Sequence, residues 1–159
     1  MSLQRAKNHL TKFGLDGKIK LFDVSSATVA LAAEALGTEE ARIAKSLSFL
    51  KGETPILVIA AGDAKVNNAK YRATFGVKAK MLAFETVEEL IGHAVGGVCP
   101  FGINDGVEVY LDESLKRFDV VYPAAGTSSS AVELTISELE RASCANGWVD
   151  VCVIPTDGE

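Results

Sequence analysis

Apolar residues recur at Leu3, Ala6, Leu10 and Phe13, the spacing of one helix face, and Gly14 follows where a left-handed cap is useful. This predicts an amphipathic first helix. A short strand from Ile19 to Val24 leads to Ser25 and Ser26, which are placed to cap an alanine-rich helix from Ala27 to Leu36 that Gly37 stops. Thr38 then caps a further short helix with Glu39 and Glu40 in its first turn, running out around Lys45. Ser46 to Leu50 and Ile56 to Ala61 read as strands separated by the turn cluster Lys-Gly-Glu-Thr-Pro.

After Asp63 the pattern predicts a polar helix capped by Asn67 or Asn68 and ended by Gly76, then a strand through Lys78 to Ala83. Thr86 and Glu89 form a capping-box pair, and the helix they open gives way to Gly96-Gly97-Val98-Cys99-Pro100-Phe101-Gly102, too rich in Gly and Pro for regular structure. Strands follow at Val107 to Leu111 and Asp119 to Tyr122, a loop at Gly126 to Ser130, and a strand at Val132 to Thr135. Ser137 and Glu140 make a second capping-box pair, and Trp148 to Ile154 reads as a last strand. Strands and helices alternate irregularly, without repeat or linker, so residues 1–159 are expected to form one mixed α/β or α+β domain.

Composition narrows the class. Of 159 residues 48% are hydrophobic and 23% charged, values of an ordinary globular protein rather than a disordered one. The longest apolar run, Ile56 to Ala61, is far too short to span a bilayer. The opening Met-Ser-Leu-Gln-Arg-Ala-Lys has no apolar signal core, so a cytoplasmic protein is expected. A formal charge of -5 argues against a general nucleic-acid coat or a basic membrane binder. That charge is unevenly spread, because Lys65, Lys70, Arg72, Lys78 and Lys80 lie between Asp63 and Glu85 with no acid among them. Before Asp23, likewise, Arg5, Lys7, Lys12, Lys18 and Lys20 face Asp16 alone.

Candidate chemistry is sparse. No phosphate-binding or dinucleotide glycine fingerprint is present, and neither His9 nor His93 has a neighbour at metal-ligand spacing; no metal or cofactor is expected, and each histidine reads as a surface residue. Cys99, Cys144 and Cys152 are an odd set without a CxxC pair, consistent with reduced thiols. Cys99 with His93 is a conceivable thiol and base, although buried free cysteine is the commoner case. Lys45 shares a strand face with Leu47 and Phe49 if it already belongs to the strand; the alternative is a lysine at a helix C-terminus whose stem covers apolar surface. The glycines of the Gly96 to Pro100 stretch either let backbone N–H groups approach a carbonyl or make a tight turn. The hydroxyls of Gly126-Thr127-Ser128-Ser129-Ser130 suit a ribose or phosphate, as they suit a solvated loop.

Ala27-Thr28-Val29 leading to Ala32-Ala33-Glu34-Ala35-Leu36-Gly37, Ile43-Ala44-Lys45-Ser46-Leu47-Ser48-Phe49, Gly62-Asp63, the Gly-x-x-x-Pro loop at Gly96 to Pro100, and Ala124-Ala125-Gly126-Thr127 before Glu133-Leu134-Thr135 together resemble the YbaK/prolyl-tRNA synthetase-associated editing family. The resemblance runs from about Ala27 to Trp148. It implies an α+β fold with a curved, partly barrel-like sheet of six to eight strands and helices around it. It implies hydrolysis of a small mischarged amino acid, Ala, Ser or Cys, from tRNA, tRNA-Pro first, by positioning of substrate and water. Lys45 matches the family's essential lysine and Gly96, Gly97 and Pro100 its carbonyl-facing loop, while Thr28, Ser46, Val98, Cys99, Gly126, Thr127, Ser128 and Ser129 are implied to meet the substrate or the tRNA end. The family often carries a histidine ahead of the early threonine; Asp23-Val24-Ser25-Ser26 stands there instead, so no such role carries over. The implied partners are the aminoacyl-tRNA acceptor end and an aminoacyl-tRNA synthetase. A non-catalytic module binding the tRNA end or a synthetase is the alternative.

Overall fold

An apolar strand hairpin dictates the arrangement of the other elements. The computed structural model describes residues 2–155. Its elements are α1 (Ser2–Thr11), β1 (Ile19–Leu21), α2 (Val29–Leu36), β2 (Ile43–Lys51), β3 (Thr54–Ala61), β4 (Lys65–Val66), α3 (Asn68–Phe75), α4 (Val87–Ile91), β5 (Glu108–Asp112), β6 (Val120–Pro123), β7 (Ser130–Val132), β8 (Leu134–Thr135), α5 (Ile136–Ser143), β9 (Gly147–Val149) and β10 (Cys152–Val153). From Ile56 to Ala61 every side chain of β3 is fully buried, as expected of a strand covered on both faces. It pairs antiparallel with β2, Ala44 opposite Ala61 through Lys51 opposite Thr54, and parallel with β5. The full sheet runs β8-β6-β2-β3-β5-β9, mixed in direction, with small two-stranded sheets β1-β7 and β10-β4 beside it. This is the curved α+β architecture implied by the resemblance, with six strands in the main sheet.

β6 pairs with β2 only at Ile43 opposite Tyr122 and Ala44 opposite Pro123, then departs. The outer edge of β2 is taken up again further along, where Leu82 N–H donates to Ser48 O at 3.1 Å and Leu50 N–H to Lys80 O at 2.8 Å. Between these two contacts the sheet is split. Buried Asp112 fastens its far side: one carboxylate oxygen accepts from Val151 N–H and the other from Ser114 N–H, each at 2.9 Å.

Local structure departs from expectation at several places. The helix expected from Thr38 to Lys45 is a single 3-10 turn, Glu40–Arg42, because strand pairing claims Ile43 on one side and Ala44 on both. Lys45 is therefore a strand residue and not a helix C-terminus. Thr28, rather than Ser25 or Ser26, caps α2 by accepting from Leu31 N–H at 3.1 Å. The strand expected at Lys78 to Ala83 is reduced to one bridge, Phe49 to Met81. Thr86 makes no cap, its hydroxyl donating to Ala83 O instead. The later capping box exists but is formed by Thr135 and Glu138, two residues before the expected pair, because Thr135 closes β8 with the extended backbone a cap needs.

Cys144 ends α5 at φ 54, a left-handed position in which a Cβ meets its own carbonyl. Replacing Cys144 by Gly is expected to stabilise the fold by about 0.5–1 kcal/mol. Calorimetry should show this as a rise of ~1–4 °C in the unfolding midpoint.

Candidate active site

The split in the sheet opens into a cavity of about 430 Å³. Its walls are the start of α2 (Ala27, Thr28, Val29, Ala32), β2 from Ile43 to Ser48, the segment around Met81 to Val87, the glycine loop at Val95, Gly96 and Val98, and Tyr122, Ala124, Ser130 and Ala131. Lys45 is the one charged side chain among the lining residues. Even-numbered residues of β2 turn their N–H and C=O away from β3, as the Ser48 and Leu50 bonds show, so the Ser46 amide and carbonyl face the gap. The Ser46 hydroxyl is buried with no hydrogen-bond partner among the described residues.

Lys45 Nζ donates to Gly62 O at 3.4 Å and to Ala64 O. Both acceptors sit on one turn, and that turn is held from three directions. Gly62 lies so close to the Glu40 carbonyl that a Cβ would fall 2.0 Å from its oxygen. Arg117 grips the Asp63 carboxylate at 2.6 and 3.0 Å, and Ala61 N–H donates to Ser114 Oγ at 3.1 Å. Burial pulls the Lys45 pKa below its usual 10.5, while the Arg117 guanidinium holds the Asp63 carboxyl below the ordinary range.

The two glycine loops meet. A Cβ on Gly97 would lie 2.6 Å from the Gly126 carbonyl and the Thr127 nitrogen, so backbone packs directly on backbone. Gly96, at φ 97, lies between Ala27 and Ser128. Ser130 curls the second loop by accepting from Ala125 and Thr127 N–H at 3.2 Å and donating to Thr127 O at 3.1 Å. Gly97 N–H is spent on Ala94 O, whereas Gly96 N–H and Val98 N–H have no acceptor among the described residues.

Of the residues singled out in sequence, Thr28, Lys45, Ser46, Gly96 and Val98 line the cavity. Gly97 and Gly126 form the joint behind it, and Cys99 and Pro100 are buried beneath. Thr127, Ser128 and Ser129 make the turn over Gly96, outside the lining. Cys99 and His93 do come together, Sγ 3.6 Å from Nε2, but both are fully buried and away from the cavity, which corrects the surface reading of His93. His93 Nε2 lies 2.6 Å from Phe101 O, a contact that requires the proton on that nitrogen and leaves it no lone pair for the thiol. Burial pushes the Cys99 thiol up to about 12 and the imidazole below its usual value, opposite to what a thiolate nucleophile needs. The lining residues missed in sequence are chiefly Ser26, Ser48, Phe84 and Tyr122, which only tertiary packing assembles. Among the described residues no cluster of three or more His, Cys, Asp or Glu is suited to a metal, and no helix is long and apolar enough to cross a membrane.

The family model described as the aminoacyl-tRNA editing domain matches residues 24–142. The chain is 52% identical over 153 residues to the uncharacterized protein YwhH of Bacillus subtilis (strain 168), covering 96% of this chain and 98% of that protein. A proline-tRNA ligase of Lactiplantibacillus plantarum is 26% identical over 120 residues, 75% of this chain but 21% of the ligase. A solved structure described as a candidate trans-editing enzyme for prolyl-tRNA synthetase superposes with a TM-score of 0.85 at 31% identity, covering 94% of this chain and 96% of that one.

Two results should follow from this geometry. Thiol titration of the native protein should find Cys144 reacting readily, with Cys99 and Cys152 released only on unfolding. Gly97→Ala should cost ~1–3 kcal/mol in urea denaturation, because its methyl would wedge the two loops apart.

Proposed function

The chain belongs to the aminoacyl-tRNA editing domain family, and on that premise we propose that it is a free-standing trans-editing deacylase, cleaving a small mischarged amino acid, Ala, Ser or Cys, from tRNA-Pro. The observation that carries this reading is the lone ammonium of Lys45, fixed by neutral carbonyls inside an otherwise uncharged cavity beside the Gly96 loop. Two of its three donor positions are engaged, which leaves one for a phosphate or ribose oxygen of the acceptor end. Action in trans is supported by the 98% span of YwhH, and the tRNA assignment by the likeness to proline-tRNA ligase and to the candidate trans-editing structure.

The chemistry asked of the site is modest, since an aminoacyl ester is already activated. Water adds to the ester carbonyl, the tetrahedral oxyanion collapses, the ribose oxygen leaves as a hydroxyl with one of the water's protons, and the amino acid departs as its carboxylate with the other proton released to solvent. Gly96 and Val98 N–H groups are free to donate to the oxyanion, and Lys45 holds the ribose-phosphate end so that the carbonyl meets them. No Cys, His, Asp or Glu lines the cavity, which supports water rather than a side chain as nucleophile. A confined pocket acts as the sieve, admitting small side chains that a synthetase site rejects poorly. The same lack of a carboxylate, imidazole or thiol in the lining favours a second reading, a non-catalytic module holding the tRNA end or a synthetase.

Purified protein is expected to deacylate Ala-, Ser- or Cys-tRNA-Pro with many turnovers; intact substrates across that panel refute the proposal, and multiple turnovers refute the binding module. Lys45→Ala should lower kcat/KM by roughly 10²-fold. The active form is the ammonium and burial lowers its pKa, so kcat/KM should decline with rising pH in a range below 10.5, after correction for uncatalysed ester hydrolysis. A profile flat up to 10.5 counts against a charged Lys45 in binding.

A further inference from the structure

The mouth of the cavity carries apolar surface that the fold leaves uncovered. Phe84 is 73% exposed, Met81 62% and Val95 49%, and all three line the opening. Phe84 joins no aromatic pair among the described residues and begins the 3-10 turn Phe84–Thr86. It is held in place, since the preceding residues are fastened to β2 through the Lys80 carbonyl and the Leu82 amide. The cavity volume of about 430 Å³ also exceeds what a side chain of one or two heavy atoms and its ester fill, which leaves room for the nucleotide beside a small aminoacyl group. Lys78 and Lys80 lie exposed on the same segment and enter no ion pair among the described residues; Glu85, next to Phe84, is the adjoining acid.

We propose that Phe84 is the stacking platform for the terminal nucleobase of the RNA acceptor end, with Lys78 and Lys80 set against the phosphates that precede it. An exposed ring and unpaired cations on one exposed segment are the combination single-stranded RNA requires, because every base presents a π-face and every linkage a negative charge. A protein partner would use the apolar rim but leave both lysines and the cavity idle. The proposal rests on the deacylase reading, deepening it to a binding element for the nucleotide.

The test uses an RNA microhelix charged with a small amino acid and the same microhelix lacking its terminal base. Phe84→Ala should raise KM by about tenfold or more on the complete end, with kcat retained and the thermal midpoint unchanged. Phe84→Tyr should restore KM, and Phe84→Leu should not. On the end lacking the base, wild type and Phe84→Ala should become equal. Unchanged KM in Phe84→Ala, or a difference that persists without the base, overturns the proposal while the deacylase reading stands. If wild type deacylates nothing, that reading falls, and stacking is decided by binding alone. Tryptophan fluorescence of the Phe84→Trp variant should then be quenched by the uncharged microhelix, salt-sensitively, and equal quenching by the RNA without its terminal base overturns it.

Discussion

The parting of β6 from β2 after Ala44 is the constraint on which the rest depends. A central strand with a continuous partner on each side has no room for a ligand, because its amides are spent and its faces are packed. Here β2 is paired by β3 from Ala44 to Lys51 but on its other side only by Tyr122 and Pro123, until Lys80 and Leu82 close the far end. The gap leaves the Ser46 main chain facing a cavity and lets α2, the glycine loop and the 81–87 segment converge on it. β6 and the 80–82 segment are hydrogen-bonded to that strand edge, and the glycine loop is packed on the Gly126 loop and Ala27.

That dependence explains what was legible in the sequence. β3 was readable because an apolar run of that length can only be buried on both faces, and α2 because Gly37 stops it. Lys45 stood out as a cation on an apolar face, and the resemblance gave it a role, but its seat was not readable. The acceptors lie on Gly62 and Ala64, and only the antiparallel register brings that turn beside it. The same limit applies to Phe84 and Tyr122, ordinary residues in sequence that become lining only when distant segments meet. Local signals also misled where tertiary pairing competed. Ile43 and Ala44 follow a helix-like start yet are drawn into the sheet, and the capping box falls at Thr135 because β8 ends there.

The two glycine-containing loops illustrate a different kind of dependence. Separately each has the composition of a turn, and the sequence does not decide between turn and ligand loop. Their contact decides their shape, since Gly97 and Gly126 approach at a distance that leaves no space for a Cβ. Beneath them Cys99 and His93 form a buried pair around Phe101 O. A thiol pushed to about 12 and an imidazole kept neutral are poor catalysts, yet they fill the floor that keeps Gly96 and Val98 exposed to the cavity. Cys99 and His93 thus serve packing, while the cavity they leave is lined by Lys45 and by the backbone of Gly96 and Val98.

The seat of Lys45 follows the same logic in its electrostatics. A carboxylate partner would hold the ammonium more firmly but would cancel its charge toward anything entering the cavity. Carbonyl oxygens hold it with partial charges only, so most of the positive charge stays available to an anion. The nearby carboxylate, Asp63, is turned to Arg117, whose two-pronged grip neutralises it and at the same time locks the turn that carries both carbonyls. Burial lowers the Lys45 pKa from its usual value, and the bonds that hold the amine go to carbonyls rather than to a carboxylate. On the proposed reading, a cation whose bonds in the fold go to carbonyls takes its counter-charge from the phosphate of the incoming RNA end, and a protein of net charge -5 would then bind RNA through a local contact rather than through its overall charge.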